Sequence, residues 1–176
     1  MNKKTSIIIL AVAILAIGGY LVLVKPNTGA PARVTFDPLN ATYVEYRNDQ
    51  YGFSIPLAET WKGFSVLKKT WEGWPINGME NAATSTHGHL LVIRHPNWTV
   101  SEPREDMPVM VFTPGEWDLV MQEKLSLGAA PIHPSKLGEN SKYIFALPAR
   151  YNYDYKTGWE EVDQLVHKLT AFEPVP

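Results

Sequence analysis

The sequence predicts an α+β domain in which an antiparallel β-sheet is covered by amphipathic helices and preceded by one N-terminal transmembrane helix. Three observations support this prediction. Apolar side chains alternate through the first half of the domain, two capping-box spacings occur in its second half, and a long uncharged stretch lies near the amino end. Alternating apolar residues are typical of half-buried strands, and capping boxes are typical of helix starts. A long apolar run is typical of a membrane span.

The uncharged stretch follows Lys3 and Lys4 and reads SIIILAVAILAIGGYLVLV, nineteen residues from Ser6 to Val24. A helix of this length covers roughly the 30 Å hydrocarbon core of a bilayer. A cleavable signal peptide has an apolar core of only about 7 to 15 residues, so the length favours a retained anchor. Cleavage stays an open alternative, because residues 30–32 read APA. The cationic amino end is expected to stay in the cytoplasm.

The chain therefore divides into three parts. Residues 1–25 form a cytoplasmic tip and a transmembrane signal anchor, and residues 26–33 form a linker containing proline and glycine. Residues 34–176 form the extracytoplasmic domain. We expect a single-pass protein of the cell membrane, with the membrane itself as a partner of residues 6–24.

Strand patterns dominate the start of the domain. ATYVEYR (41–47) and YGFSI (51–55) both alternate, with Asn48-Asp49 as the turn between them. Pro56 is expected to end the second strand because it cannot donate to a sheet ladder, and residues 59–61 form the return corner. Further strands are expected in 64–74, 89–95 and 109–112, with a loop over 77–86.

Two helices are expected in the second half. Thr113 and Glu116 have capping-box spacing with proline between them. The predicted apolar face of this helix consists of Trp117, Val120, Met121 and Leu125. Thr157 and Glu160 repeat the spacing before a last helix with a buried stripe of Trp159, Val162, Val166 and Leu169. Between the helices, residues 128–140 are predicted as a loop, and strands are predicted on either side of Pro148.

Charge and cysteine content exclude several functions. Three of the 16 Lys and Arg residues (Lys3, Lys4 and Lys25) precede Arg33, whereas all 18 Asp and Glu residues follow it. The domain is therefore acidic, and a nucleic-acid partner is not expected. The chain has no cysteine, which excludes disulfides, thiolate metal sites and a cysteine nucleophile. No cofactor is expected.

The run YRNDQYGFSIPLAETWKG (46–63) resembles the opening hairpin of the PsbP-like superfamily, in which Y-x-N-x-x-Y-G-F-S is followed by a proline and a tryptophan. The run EEVDQLVHKLTAF (160–172) is similar to the closing helix of that superfamily. The run SKYIFALPARYNYDYKTGWEEVDQL (141–165) resembles uncharacterised, signal-anchored bacterial proteins. The resemblance implies an antiparallel sheet flanked by helices that serves as a binding or assembly module, and it carries over no catalytic residue.

Histidines offer one candidate for chemistry. His87 and His89 have the H-x-H spacing that lets two neighbours on a strand reach one metal ion. His95 shares their face, but at about 3.3 Å per residue it lies some 20 Å from His89. A metal-dependent envelope hydrolase using His87 and His89 is therefore the alternative function.

Acidic clusters are weaker candidates. Residues 102–106 and 160–163 each hold three carboxylates, and paired carboxylates can cleave glycosides at a fixed separation. Acids at a helix start are more simply explained by the helix dipole. No hydrolase or phosphate-binding motif is found in the sequence, so no catalytic residue is predicted.

Aromatic residues are the preferred binding candidates, against the alternative that they fill the core. Trp71 and Trp74 lie in TWEGWP, and Tyr151, Tyr153 and Tyr155 alternate as if they shared one face. Such rings stack on sugars or on apolar side chains of a partner. We predict a non-catalytic domain that binds a protein or an envelope component such as a glycan through these residues. A passive structural or assembly subunit is a further alternative.

Overall fold

Two antiparallel sheets and two helices form the domain in the computed structural model, which describes residues 33–35, 43–76, 86–128 and 132–175. The strands are β1 Arg33–Thr35, β2 Tyr43–Asn48, β3 Phe53–Leu57, β4 Ser65–Pro75, β5 Thr86–Arg94, β6 Met107–Phe112, β7 Leu125–Ser126, β8 Ser135–Glu139, β9 Ile144–Leu147 and β10 Thr170–Ala171. The helices are α1 Pro114–Met121 and α2 Trp159–Val166, and a 3-10 turn occupies Glu59–Trp61.

The strands divide between two sheets. The first sheet has the order β1-β2-β3-β10 and the second β7-β4-β5-β6-β9-β8, and the pairings between neighbouring strands are antiparallel. The predicted α+β class is confirmed. The prediction of one sheet is wrong, because the β2–β3 hairpin does not extend the second sheet but packs across it.

The main core lies between the two sheets. Phe53 of β3 meets Phe145 of β9 with ring centroids 4.8 Å apart, and Val162 and Val166 of α2 close the same cluster. Burial of such aromatic and aliphatic side chains is the dominant favourable term in folding. The opening hairpin is therefore a packing element, with Tyr46, Phe53 and Ile55 all buried in it.

A second cluster covers the outer face of the second sheet. Helix α1 lies over this face and contributes Trp117 and Val120, which pack with Trp71 and Phe112. Both faces of the second sheet are thus buried, which explains why β6 and β9 are apolar at nearly every position.

The predicted hairpin is confirmed, but its turn spans residues 49–52 rather than Asn48-Asp49, and its second strand begins at Phe53 and extends past Pro56. The backbone N–H of Gly52 donates to Asn48 O across the turn, at 2.9 Å. Pro56 does not end β3, which continues to Leu57, and Pro56 pairs with Glu45 of β2. Strand β10 pairs only with Phe53 and Ser54, so β3 has a single described neighbour at Pro56. A proline is tolerated at such an edge position.

The capping box of α1 is confirmed. The Thr113 side chain accepts from the Glu116 N–H, and the Glu116 carboxylate accepts from the Thr113 N–H at 2.7 Å. The predicted apolar face is wrong at its end, because the helix stops at Met121. Leu125 is buried from strand β7 instead, and Met121 is exposed.

The region between and before the helices departs from prediction in three places. Residues 135–139, predicted as loop, form β8 and pair with β9. The tyrosine run after Pro148 forms turns rather than a strand. Thr157 does not cap α2, whose N-cap is Gly158 in the left-handed region at φ 85°. A Cβ at that residue would meet the Arg104 guanidinium.

The predicted anchor, residues 6–24, and most of the predicted loop 77–86 lie outside the described residues. None of the helices within the described ranges is long and apolar enough to cross a bilayer.

Candidate functional site

Trp71, the first of the predicted binding residues, lies in the core. Its ring centroid is 4.7 Å from that of Phe112, and its Nε1 donates to Val111 O at 3.0 Å. Gly88 on β5 leaves the space that the ring occupies, since a Cβ there would overlap it. Trp71 is therefore a packing residue, as the alternative interpretation of the tryptophans expected.

Trp74 has a different position. Its side chain is 48% exposed, and the residue lies near the end of β4. The first residue of that strand, Ser65, is nine residues away, which corresponds to roughly 30 Å in an extended strand. The three tyrosines follow β9 in a separate loop. The structure thus separates the five predicted binding residues into one core residue, one strand end and one loop.

The loop from Arg150 to Gly158, termed the tyrosine loop below, presents two aromatic rings to solvent. Tyr153 is 71% exposed and Tyr155 is 66% exposed. Two successive turns form the loop: the Tyr153 N–H donates to Arg150 O and the Tyr155 N–H donates to Asn152 O, both at 3.1 Å. Exposed large aromatic rings of this kind are candidates for binding.

The backbone of the tyrosine loop is strained. Arg150 has φ 57° and Tyr155 has φ 46°, both in the left-handed region although neither is glycine. Such a conformation is uncommon for a bulky residue and costs on the order of 1 kcal/mol or more. Both strained residues carry exposed side chains, although the Tyr155 ring also contacts Trp159 of α2. Strain of this kind is characteristic of functional loops.

Two contacts fix the tyrosine loop on α2. The Tyr151 hydroxyl donates to Asp163 Oδ1 at 2.7 Å, and the Tyr155 ring meets Trp159 edge-on with centroids 5.1 Å apart. Burial, together with the bond to the Asp163 carboxylate, raises the pKa of Tyr151, so its hydroxyl stays protonated as the donor. Tyr151 is therefore an anchor of the loop, and Tyr153 and Tyr155 are the rings that it presents.

A polar cluster lies beneath the loop. The Glu105 N–H donates to Thr157 O at 2.9 Å, which joins the start of β6 to the loop. Arg104 Nη2 lies 3.6 Å from Glu161 Oε2, and Glu161 Oε1 accepts from Thr60 Oγ1 at 3.1 Å. These contacts connect α2, the 3-10 turn and the segment before β6, and they hold the loop against the domain.

His95 lies on the inner side of this cluster and is almost fully buried. Its ring meets Trp61 edge-on at 5.0 Å, and its Nδ1 accepts from the Asn97 N–H, so the neutral ring carries its proton on Nε2. Burial, and then the nearby Arg104 guanidinium, lower the pKa of His95. The residue therefore stays neutral at pH 7 and acts in packing.

Glu105 is also buried, and its Oε2 has no hydrogen-bond partner among the described residues. Burial raises the pKa of this carboxyl, although the nearby Lys156 lowers it again in part. An ionised carboxylate with an unpaired oxygen is costly in such a place. At neutral pH, the ionised Glu105 side chain therefore lowers the free energy of unfolding of the domain.

We expect Glu105→Gln to stabilise the domain at pH 7 by about 1 kcal/mol, because it removes a buried charge. Because the pKa of Glu105 is raised in the folded state, the folded wild type takes up a proton first as the pH falls, and the wild type is then stabilised in the same way. Below pH 4.5, the carboxyl is protonated in both the folded and the unfolded state. The advantage of the variant should therefore be largest at neutral pH and disappear near pH 4. Thermal unfolding of both proteins from pH 4 to 8 measures this, and a constant difference across that range would refute it.

The histidine and acidic candidates do not form a reactive site among the described residues. His87 and His89 are exposed, and no three metal-ligating side chains converge in the described part of the chain. Asp106 accepts from Arg94 Nε and Nη2 at 2.9 and 2.6 Å. Asp163 is engaged by Tyr151. These carboxylates have structural partners.

The polar cluster has no signal in the sequence. His95 and Glu105 precede the tyrosine loop by about 45 to 55 residues, and backbone contacts of Arg104 and Glu105 with Thr157 bring the two regions together. The strained φ angles are equally invisible, since Arg and Tyr are not the residues that mark left-handed turns.

Comparison with protein-family models, with characterised proteins and with solved structures finds no significant match.

Proposed function

We propose that the chain is a single-pass membrane protein whose extracytoplasmic, PsbP-like domain binds a protein or envelope component through the tyrosine loop and performs no chemistry. One observation carries the proposal: Tyr153 and Tyr155 are exposed on a loop that the domain holds in a strained conformation. The membrane attachment rests on the apolar stretch 6–24 and the cationic residues before it.

Tyrosine suits such a role physically. It offers a large contact area with only two rotatable side-chain bonds, so little entropy is lost when the ring is held by a partner. The anchors at Tyr151 and Trp159 order the loop in advance, which lowers the cost of binding further. Arg150 and the Asp154–Lys156 ion pair, at 3.1 Å, provide a polar rim around the rings. This composition is typical of a protein–protein or protein–glycan interface.

The direction of β1 supports a loop that faces away from the membrane. Arg33 pairs with Glu45 and Thr35 with Tyr43, so the chain enters β1 from the side of the β2–β3 turn. The tyrosine loop adjoins the opposite end of β3, where Thr60 contacts Glu161 of α2. An anchor preceding Arg33 would then leave the loop free to meet a partner.

The buried groups near the loop favour binding over catalysis. His95 and Glu105 are the perturbed acid and base closest to the tyrosines, and both are nearly inaccessible to a substrate. The carboxylate between the exposed tyrosines, Asp154, is paired with Lys156 at 3.1 Å, and no three metal-ligating side chains converge in the described part of the domain. A surface without an accessible nucleophile is suited to recognition alone.

Replacement of both Tyr153 and Tyr155 by serine tests the proposal. We expect the affinity of the full-length chain, held in lipid nanodiscs, for envelope fragments of the cells that produce it to fall at least ~30-fold, as for other aromatic hot spots. The melting temperature should stay nearly constant because both rings are exposed. Cosedimentation at a series of fragment concentrations gives the affinity.

Trp74→Ser is the matched control, since it removes another exposed aromatic ring outside the tyrosine loop. It should leave the affinity within about twofold, as an uninvolved surface residue does. Equal binding by the wild type and the double tyrosine variant would refute the proposal. So would a loss that the Trp74 variant reproduces in full.

A further inference from the structure

A pocket of about 470 Å³ lies on the outer face of the second sheet, apart from the exposed tyrosine rings. Its volume is in the range of small-molecule sites, and most of the residues around it are apolar. The described residues that line it are Ile76, Met110, Val120, Glu123, Leu125, Ser126, Leu127, Gly128, Ile132, His133, Pro134, Pro148 and Ala149. An apolar ligand that buries its surface against the aliphatic lining residues gains free energy.

The end of helix α1 places a strained residue in the wall of this pocket. The Lys124 N–H donates to Leu119 O at 2.8 Å, and the Glu123 N–H donates to Val120 O at 3.0 Å. This is the Schellman pattern of a helix end, in which the residue after the cap is usually glycine because it must be left-handed. Here Glu123 occupies that position, with φ 56°. A glycine would suit the fold better at this residue.

The Glu123 side chain is 79% exposed, so its carboxylate stands in solvent at the edge of the pocket. Its Oε1 lies 3.9 Å from His133 Nε2, and both residues line the pocket. Glu123 carries the single formal charge among the described lining residues when histidine is counted as neutral. The one formal charge among these lining residues is thus negative, and most of the other lining residues are apolar. A ligand complementary to both has an apolar body and a cationic group.

We propose that this pocket binds a free amphipathic amine, with its alkyl chain among the apolar residues and its ammonium group against the Glu123 carboxylate. The His133 ring lies beside the same carboxylate, with its Nε2 3.9 Å from Glu123 Oε1. The site is separate from the proposed recognition surface, although Ala149 of the pocket directly precedes the tyrosine loop. The inference does not depend on the proposed function of that loop.

Three probes of equal chain length test the ligand class: octylamine, octanol and octanoate. Titration calorimetry of the full-length chain in nanodiscs, with empty nanodiscs as the blank, gives the dissociation constants. We expect octylamine to bind at least tenfold more tightly than octanoate, with octanol between them. Failure of octylamine to bind, or equal binding of octylamine and octanoate, would overturn the proposal.

Variants locate the site. Glu123→Gln should remove the preference for the amine and leave octanol binding unchanged, whereas Ala149→Trp should weaken all three probes by filling the pocket. The double tyrosine variant should bind octylamine as the wild type does. A preference that survives Glu123→Gln, or binding that is unaffected by Ala149→Trp, would place the amine elsewhere and refute the assignment.

Glu123→Gly separates binding from folding. Because glycine relieves the left-handed strain, this variant should melt a few degrees higher than the wild type and still lose the preference for the amine. A gain in stability together with a loss of binding cannot be attributed to unfolding. If Glu123→Gly retained the amine preference, the carboxylate would have no role in the pocket and the proposal would fail.

Discussion

Replacement of Gly52 by alanine is expected to destabilise the domain by about 3 to 4 kcal/mol. Gly52 has φ 79°, and a Cβ at this residue would overlap the backbone oxygen of Phe172 and lie 2.8 Å from Pro174 N. The left-handed backbone accounts for about 1 kcal/mol of the loss, and the forced separation of two backbone segments accounts for the rest. The glycine of the Tyr-Gly-Phe run therefore allows the hairpin to approach the C-terminal segment.

Urea unfolding measures this loss, and Gly115→Ala is the control. Gly115 lies in the first turn of α1 with open space around its Cα, so alanine there should be neutral or stabilising by up to about 1 kcal/mol. Two glycine-to-alanine changes in one domain should thus have opposite signs. If the Gly52→Ala variant were as stable as the wild type, the fold would not require the close approach of the hairpin to Phe172.

Asn140→Ala is expected to cost about 3 kcal/mol, although the residue lies in a loop. Its Nδ2 lies within hydrogen-bond distance of Tyr51 O, Gly52 O and Phe172 O at 2.8, 3.2 and 2.9 Å. Its Oδ1 accepts from the N–H groups of Lys142 and Tyr143. The side chain thus joins the hairpin turn, the β8–β9 turn and the C-terminal segment, and each bond contributes about 1 kcal/mol net.

Thermal unfolding should show a melting temperature lower by about 10 °C for Asn140→Ala. Exposed Asn97 provides the control, since Asn97→Ala should change stability by less than about 0.5 kcal/mol. Asn140 and Gly52 act on the same junction, so the double variant should lose less than the sum of the two single losses. Strict additivity would indicate that the two residues stabilise separate parts of the domain.

Local patterns in the sequence were sufficient for the elements that neighbours in the chain determine. The β2–β3 hairpin follows from alternation and a two-residue turn signal, and the start of α1 follows from Thr113 and Glu116, whose side chains contact each other's backbone. Both features are settled within a few residues, and this is why periodicity and capping predict them.

Features that depend on distant contacts escaped prediction. Pro56 continues β3 because the neighbouring strand β10 ends before it, and β10 comes from the far end of the chain. The N-cap of α2 is Gly158 rather than Thr157, and the space beside this glycine is filled by Arg104, a residue distant in the chain. The division into two sheets arises in the same way, since alternation identifies a strand without identifying its partner.

The candidate site was predictable only in part. The sequence predicts Tyr151, Tyr153 and Tyr155 as binding candidates. It does not show that Tyr151 anchors the loop whereas Tyr153 and Tyr155 are exposed, because the exposure of these side chains depends on how α2 packs. Trp71 and Trp74 looked equivalent in TWEGWP, yet Gly88 admits one ring into the core and no such space receives the other. Glu123 gave no signal, because glutamate is ordinary at a helix end and only its φ angle shows the strain.

Site-specific photocrosslinking in the cells that produce the chain tests the central claim most directly, with p-benzoylphenylalanine placed at position 153 or at position 74 of the full-length protein. Recognition through the tyrosine loop predicts a discrete adduct from position 153 that disappears when Tyr155 is also replaced by serine, and no discrete adduct from position 74. An adduct from position 74 alone, or an intact chain that gives none from position 153, would contradict it.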